Sequence, residues 1–303
     1  MSKYGSEKHQ VVQRVNEIFK PGVSRREVQQ LLGIKGTTYS PYIHSYSYRD
    51  TAIRQGTVFL KWAKETYDAR SLKQAERHVD NYIRFMRENS WSAWSQKLVV
   101  ACLAKLYGTH STDYAPTDSR RRVDIKRSQG PKANDRNFNE ERHREFVNFE
   151  KTVGLRRSEY RTLIKNDVRT DRQGREFVAN HLVKRDDGRW VLQNVVGKGG
   201  KYRNVLLAGP HVKEAVERIQ ATKDGERVWP TVPKHYDIHG GRHQYAQALY
   251  MEVARDPTTL PRSERYECRG DMAGVWFDRR ALEIVSASMG HNRACVSVLY
   301  VRG

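Results

Sequence analysis

Cysteine is scarce in this chain of 303 residues: Cys102, Cys268 and Cys295 form an odd, widely spaced set, and none belongs to a CxxC pair. That pattern excludes a disulfide framework and a cysteine-based zinc site, and it fits three free thiols in a reducing compartment. Long apolar runs are missing as well. No uninterrupted stretch approaches the roughly 20 residues that a membrane-spanning helix needs. The opening residues Met1 to Lys8 lack the apolar segment of a secretory signal. The third scarcity is negative charge, with 35 Asp and Glu against 55 Lys and Arg and a formal charge of +20. An excess of that size goes beyond what solubility requires and favours a polyanionic partner, because basic groups release counterions from phosphate. Without a spanning segment, the expected partner is nucleic acid and not a membrane, and the expected location is cytoplasmic, on DNA.

The length allows two domains of ordinary size. Residues 9 to 32 read as two short helices, broken at Pro21-Gly22, with Ser24 and Glu27 as a capping box. Residues 35 to 50 turn to Gly, Ser, Thr and the tyrosines Tyr39, Tyr42, Tyr46 and Tyr48, which predicts a surface linker whose tyrosines either pack on the neighbouring domain, the favoured reading, or stack on bases. From Thr51 to Tyr107 the apolar spacing is helical, with fresh starts at Ser71 and Ser92, and predicts a compact bundle. Arg120 to Arg136 holds seven basic residues, Arg120, Arg121, Arg122, Lys126, Arg127, Lys132 and Arg136, against two acids. Such a segment suits a solvated linker or a strap on a DNA backbone. Beyond Asn139 two helices are expected, the second starting near Arg157. The period then changes to strands at 177–179, 182–183, 190–196 and 202–207, and the remainder reads as mainly helical. The expected boundaries are an N-terminal helical arm and linker over 1–44, a helical domain over 45–115, a basic linker over 116–136 and a mixed domain over 137–303.

Several residues carry chemistry. Arg156 stands in a GLRRSE string, Lys198 in a GKGG turn, and His239 and Arg242 in HGGR. His291 follows Met289-Gly290, and Tyr300 comes nine positions later. Breaking a phosphodiester without water or metal needs a nucleophile, cations on the non-bridging oxygens and an acid for the leaving oxygen. Guanidinium groups suit the oxygens because they offer fixed, always-charged donors. Arg156 and Arg242 would take that part. Lys198, on a flexible turn, would protonate the leaving group, and His239 and His291 would hydrogen-bond the phosphate, His239 also accepting the tyrosine proton. Tyr300 would attack, and its phosphate ester would keep the energy for resealing without ATP or Mg²⁺.

In that order, with intervals of 42, 41, 52 and 9 positions between leading residues, the set resembles the tyrosine recombinase (integrase) family. The likeness runs over residues 45 to 303. It implies a mainly α fold with a small antiparallel sheet: a helical, SAM-like core-binding bundle plus an α+β catalytic domain, closing on DNA as a C-shaped clamp. It implies site-specific cutting and rejoining of double-stranded DNA through a 3′-phosphotyrosine and a Holliday junction, without metal or other cofactor. The enzyme would be a monomer or dimer when free and a homotetramer on recombination sites, as fits a mobile genetic element. Glu159 matches the acidic position that supports the basic groups.

Two departures stand out. The interval from His239 to His291 is long, and its excess at 254–277 predicts a surface excursion. Only three residues follow Tyr300, where many relatives carry a docking helix, so subunit coupling would use another segment or the chain is truncated. Type IB topoisomerase-like relaxation and a non-catalytic DNA-binding regulator remain alternatives. His235, His239 and His243 share an i, i+4, i+8 spacing, but the Gly240-Gly241 pair and the lack of an HExxH carboxylate speak against a metal.

Overall fold

The computed structural model describes residues 5–33, 40–125, 138–171, 173–197, 200–291 and 293–302. The fold is mainly helical with small antiparallel sheets, and the chain divides into two compact units, 1–120 and 121–303. No helix among the described residues is long and apolar enough to cross a membrane.

The first unit is all helical: α1 (Glu7–Ile18), α2 (Arg25–Leu31), α3 (Tyr46–Tyr67), α4 (Leu72–Ala75), α5 (Val79–Glu88) and α6 (Ala93–Tyr107). All of their starts but that of α5 follow from side-chain caps. Ser6, Ser24, Ser45, Ser71 and Ser92 each accept a hydrogen bond from a first-turn main-chain N–H, and Ser24 with Glu27 completes a capping box. α3 and α6 stop at the left-handed residues Asp68 and Gly108. The segment expected as a separate arm is part of this core: Val11, Val15 and Ile18 of α1 are buried among Phe59, Leu60 and Leu103. Ile43 ties it further, since its N–H donates to Ile18 O and its carbonyl accepts from Lys20 N, both at 2.8 Å. Tyr42 and Tyr48 pack on the same core, and α3 begins at Tyr46, inside the expected linker. Tyr39 lies outside the described residues.

The second unit contains α7 (Arg144–Val153), β1 (Asp167–Thr170), β2 (Glu176–Ala179), β3 (His181–Lys184), β4 (Trp190–Val196), β5 (Tyr202–Leu206), α8 (Val212–Ala221), α9 (Ile238–Val253), β6 (Arg265–Glu267), β7 (Trp276–Asp278), α10 (Arg279–Ser288) and α11 (Ala294–Val301). β3, β4 and β5 form one antiparallel sheet in that order, and β1–β2 and β6–β7 are separate hairpins. Phe146, Phe149, Leu192, Val205, Tyr245, Leu282 and Val298 are among the residues of its core.

One expectation is corrected here and another gains detail. The helix expected after Arg157 is only a 3₁₀ turn, Glu159–Thr162. The Asn180 amide donates to the carbonyls of Thr162 and Ile164 at 2.8 and 2.9 Å, and Ile164 bridges to Arg227, so the carbonyls that a longer helix would use are taken elsewhere. The stretch 254–277 is largely exposed, as a surface excursion would be, but it is anchored to the unit. Cys268, Met272 and Phe277 join the core, and Arg255 bonds Asp278, the N-cap of α10, at 2.9 Å.

Candidate active site

The site is assembled by the ends of helices. α7 closes at Gly154, with φ +55°, and α10 closes at Met289 followed by Gly290, with φ +69°. Such ends leave main-chain carbonyls without helical partners. Arg242, on the second turn of α9 and 1% exposed, takes one from each: Nη1 donates to Gly154 O, and Nη2 donates to Met289 O at 3.3 Å. The negative ends of two helix dipoles thus meet one buried guanidinium. Burial lowers the pKa of Arg242 and the charge of Arg156 adds to this, while Glu150, Glu159 and the Tyr300 phenol act in the opposite direction.

Arg156 lies just past the end of α7. Its N–H donates to Glu159 Oε2 at 2.7 Å and its Nη1 to Glu159 Oε1 at 2.8 Å. Glu159 is buried, and its second partner was not foreseen: Arg203 of β5 donates to both carboxylate oxygens, Nη1 and Nη2 each at 2.8 Å, and through Nε to Ser288 O at 2.8 Å. Burial alone would raise the Glu159 pKa, yet the hydrogen bonds and charge of Arg203, followed by Arg156, hold it below the ordinary value. The only sequence signal for Arg203 was its place in the strand after the GKGGK turn, with apolar neighbours two and three positions on.

The two arginines border a cleft of about 410 Å³, lined also by Gly197, Lys201, Tyr202, Asn204, Ala287, Gly290 and His291. His291 is fixed where α10 ends, its N–H donating to Ser286 O at 2.8 Å. The rings of His291 and Tyr300 stand 5.3 Å apart at 37°. Tyr300, on α11, is 6% exposed. Arg156, Glu159, Arg242, His291 and Tyr300 therefore gather in one neighbourhood. His239 is exposed on the first turn of α9, three residues before Arg242. Lys198 lies outside the described residues, although Gly197 and Lys201, on either side of it, line the cleft.

The other expected site residues are dispersed. Arg120, Arg121 and Arg122 are exposed, with Arg120 over the Trp94 ring at 5.9 Å. Lys126, Arg127, Lys132 and Arg136 lie outside the described residues. His235 stands before the start of α9, so the three histidines do not share one helix. Among the described residues no three His, Cys, Asp or Glu side chains gather as metal ligands.

No family model and no curated protein matches the chain. Among solved structures, it is similar to XerA recombinase at 13% identity, over 98% of this chain and 94% of that one, with a TM-score of 0.26. It is also similar to the Tn1549 transposon integrase, residues 82–397, solved in complex with circular intermediate DNA, at 13% identity, over 97% and 95%, with a TM-score of 0.41.

Proposed function

We propose that this protein is a site-specific DNA recombinase that cuts and rejoins duplex DNA through a tyrosyl phosphodiester. What carries the reading is that Arg156 and His291 line one cleft, with the Tyr300 ring against His291 and the buried Arg242 within the electrostatic reach of both Arg156 and Tyr300. Two guanidinium groups are matched to the non-bridging oxygens of one phosphate, and their charge costs no reorganisation when negative charge builds in the transition state. Tyr300 Oη attacks phosphorus, the bond to the 5′ oxygen breaks, and a 3′-phosphotyrosine forms. His239 takes the phenolic proton and Lys198 supplies one to the departing 5′ hydroxyl. Attack by the 5′ hydroxyl of another strand reverses each transfer, so neither metal nor nucleotide is consumed. Exchange of strands in pairs through a Holliday junction, within a homotetramer, completes the proposed reaction.

Trapping on a nicked suicide duplex tests it. The wild-type chain forms a covalent adduct in the presence of EDTA, and Tyr300→Phe forms none while binding the duplex as before. A normal adduct yield from Tyr300→Phe would refute the assignment, and relaxation of a plasmid lacking any recombination site would turn it toward a topoisomerase.

A further inference from the structure

Beneath Arg242 lies a second carboxyl that the proposed chemistry does not use. Glu150, on α7, has no exposed surface. Its Oε2 accepts from Leu155 N at 3.2 Å and from the Tyr160 hydroxyl, while Oε1 has no hydrogen-bond partner. The hydroxyl of Tyr236 is buried without a partner too. Both side chains press on Gly241 of α9: a Cβ there would stand 2.5 Å from Tyr236 Oη and 2.7 Å from Glu150 Cγ. This close approach explains a glycine inside the N-terminal part of α9, where it is less favourable than alanine by up to about 1 kcal/mol.

An ionised carboxylate in such a place would be expected to take the nearest guanidinium as its hydrogen-bonding partner, since an uncompensated buried charge is costly. Arg242 donates instead to the carbonyls of Gly154 and Met289. We infer that Glu150 is a positioning residue for Arg242, a carboxyl that keeps its proton in the folded protein and leaves the guanidinium's charge available to a phosphodiester. This role rests on the strand-cleavage reading.

Burial drives the Glu150 carboxyl well above its ordinary range; the Tyr160 hydroxyl, Arg242 and the Leu155 amide pull it back, and Glu159 adds to the rise. Those groups and Tyr236 face it from the turn after α7, the 3₁₀ turn, α9 and the loop before α9. With Glu150 neutral, Arg156, Arg203 and Arg242 share one carboxylate, Glu159, so the pocket keeps a positive surplus for its ligand. Glu150 also positions through the main chain: by accepting from Leu155 N it holds the turn that offers the Gly154 carbonyl to Arg242.

Two measurements on the full chain test this. A carboxyl with a raised folded pKa contributes stability that is complete below its unfolded value, about 4.3, and is lost as pH rises through the folded value. Glutamine does not titrate. Melting temperatures of Glu150→Gln and the wild type, followed from about pH 5 to 8, should therefore shift in favour of the variant by a few degrees as pH rises. A shift in favour of the wild type means an ionised counter-charge and overturns the proton assignment.

On the suicide duplex at saturating DNA, Glu150→Ala should form adduct at least about tenfold more slowly at unchanged affinity, and Glu150→Gln should recover most of the rate. Wild-type adduct formation matched by Glu150→Ala overturns the positioning role alone. Absence of adduct from the wild type overturns the cleavage reading and the positioning role with it, while the melting series still decides where the proton resides.

Discussion

Among single residues, Glu159 organises the site and Arg203 holds Glu159. One carboxylate accepts two parallel bonds from Arg203 and two from Arg156, and the two partners play different parts. Arg203 is 7% exposed and faces inward, whereas the Arg156 side chain is 27% exposed at the cleft. Removing one partner of a buried pair typically costs about 3–5 kcal/mol, and here it leaves Glu159 with Arg156 alone, whose side chain is partly solvated. Arg203→Ala should lose stability on that order in urea denaturation at neutral pH. Arg203→Lys should recover only part, because an ammonium cannot bridge both oxygens and reach Ser288 O as well. The pH dependence has a definite sign. Glu159 is depressed in the folded state, so its contribution is present above the ordinary glutamate value of about 4.3 and is lost as pH falls through the depressed one. The gap between wild type and Arg203→Ala should therefore narrow in acid; a gap of constant width would show that the pair is not what Arg203 contributes. The neighbours Arg156, Glu159, Arg242, His291 and Tyr300 were legible as one set because their residue types and order suit a phosphate. Arg203 and Glu150 were not, since a partner supplied by a strand 44 positions on, or a carboxyl beneath a helix, leaves no local pattern.

At the scale of elements, what the sequence made legible was local. Serine caps and left-handed stops are written within one turn of the helices that carry them, and the starts of α2, α4 and α6 fell where Ser24, Ser71 and Ser92 stand. The 3₁₀ turn at Glu159–Thr162 escaped notice because Asn180, in a different element, decides where its carbonyls go. β6 and β7 are only three residues each, too short for alternation to register. The end of α7 combines both kinds of information. Gly154 is left-handed, and a Cβ there would run into the Tyr245 ring, whose hydroxyl donates to Leu206 O at 2.7 Å. Gly154→Ala should cost about 1–2 kcal/mol for the backbone and about 1–3 more for the displaced ring. Gly188→Ala, left-handed at φ +81° with nothing near its missing Cβ, is the control and should cost the backbone part only. Equal losses in thermal unfolding would mean that the Tyr245 approach does not matter. A larger loss at Gly154 should also slow adduct formation, since its carbonyl is one of the two that hold Arg242.

For the whole molecule the governing quantity is charge. The excess is not confined to the unit that carries the cleft: residues 1–120 hold nineteen Lys and Arg against eleven Asp and Glu, and residues 121–303 hold thirty-six against twenty-four. Both units are therefore suited to a polyanion, and the proposed reaction needs a duplex bound more widely than at one phosphate. Phosphate contacts give affinity and register without sequence information. The electrostatic part of binding should accordingly be the same on unrelated duplexes and should fall steeply with salt, by about 0.9 logarithmic units per contact for each tenfold rise. With roughly six to ten contacts the affinity falls about 10³- to 10⁵-fold between 50 and 200 mM salt. Fluorescence anisotropy on two duplexes of unrelated sequence measures this directly. Parallel steep slopes are the expected result, with any preference between the duplexes appearing as an offset that salt leaves unchanged. A slope near zero on both would mean that the surplus cations of the two units do not face DNA, and it would remove the physical basis for a DNA substrate even if the cleft proved to bind free phosphate.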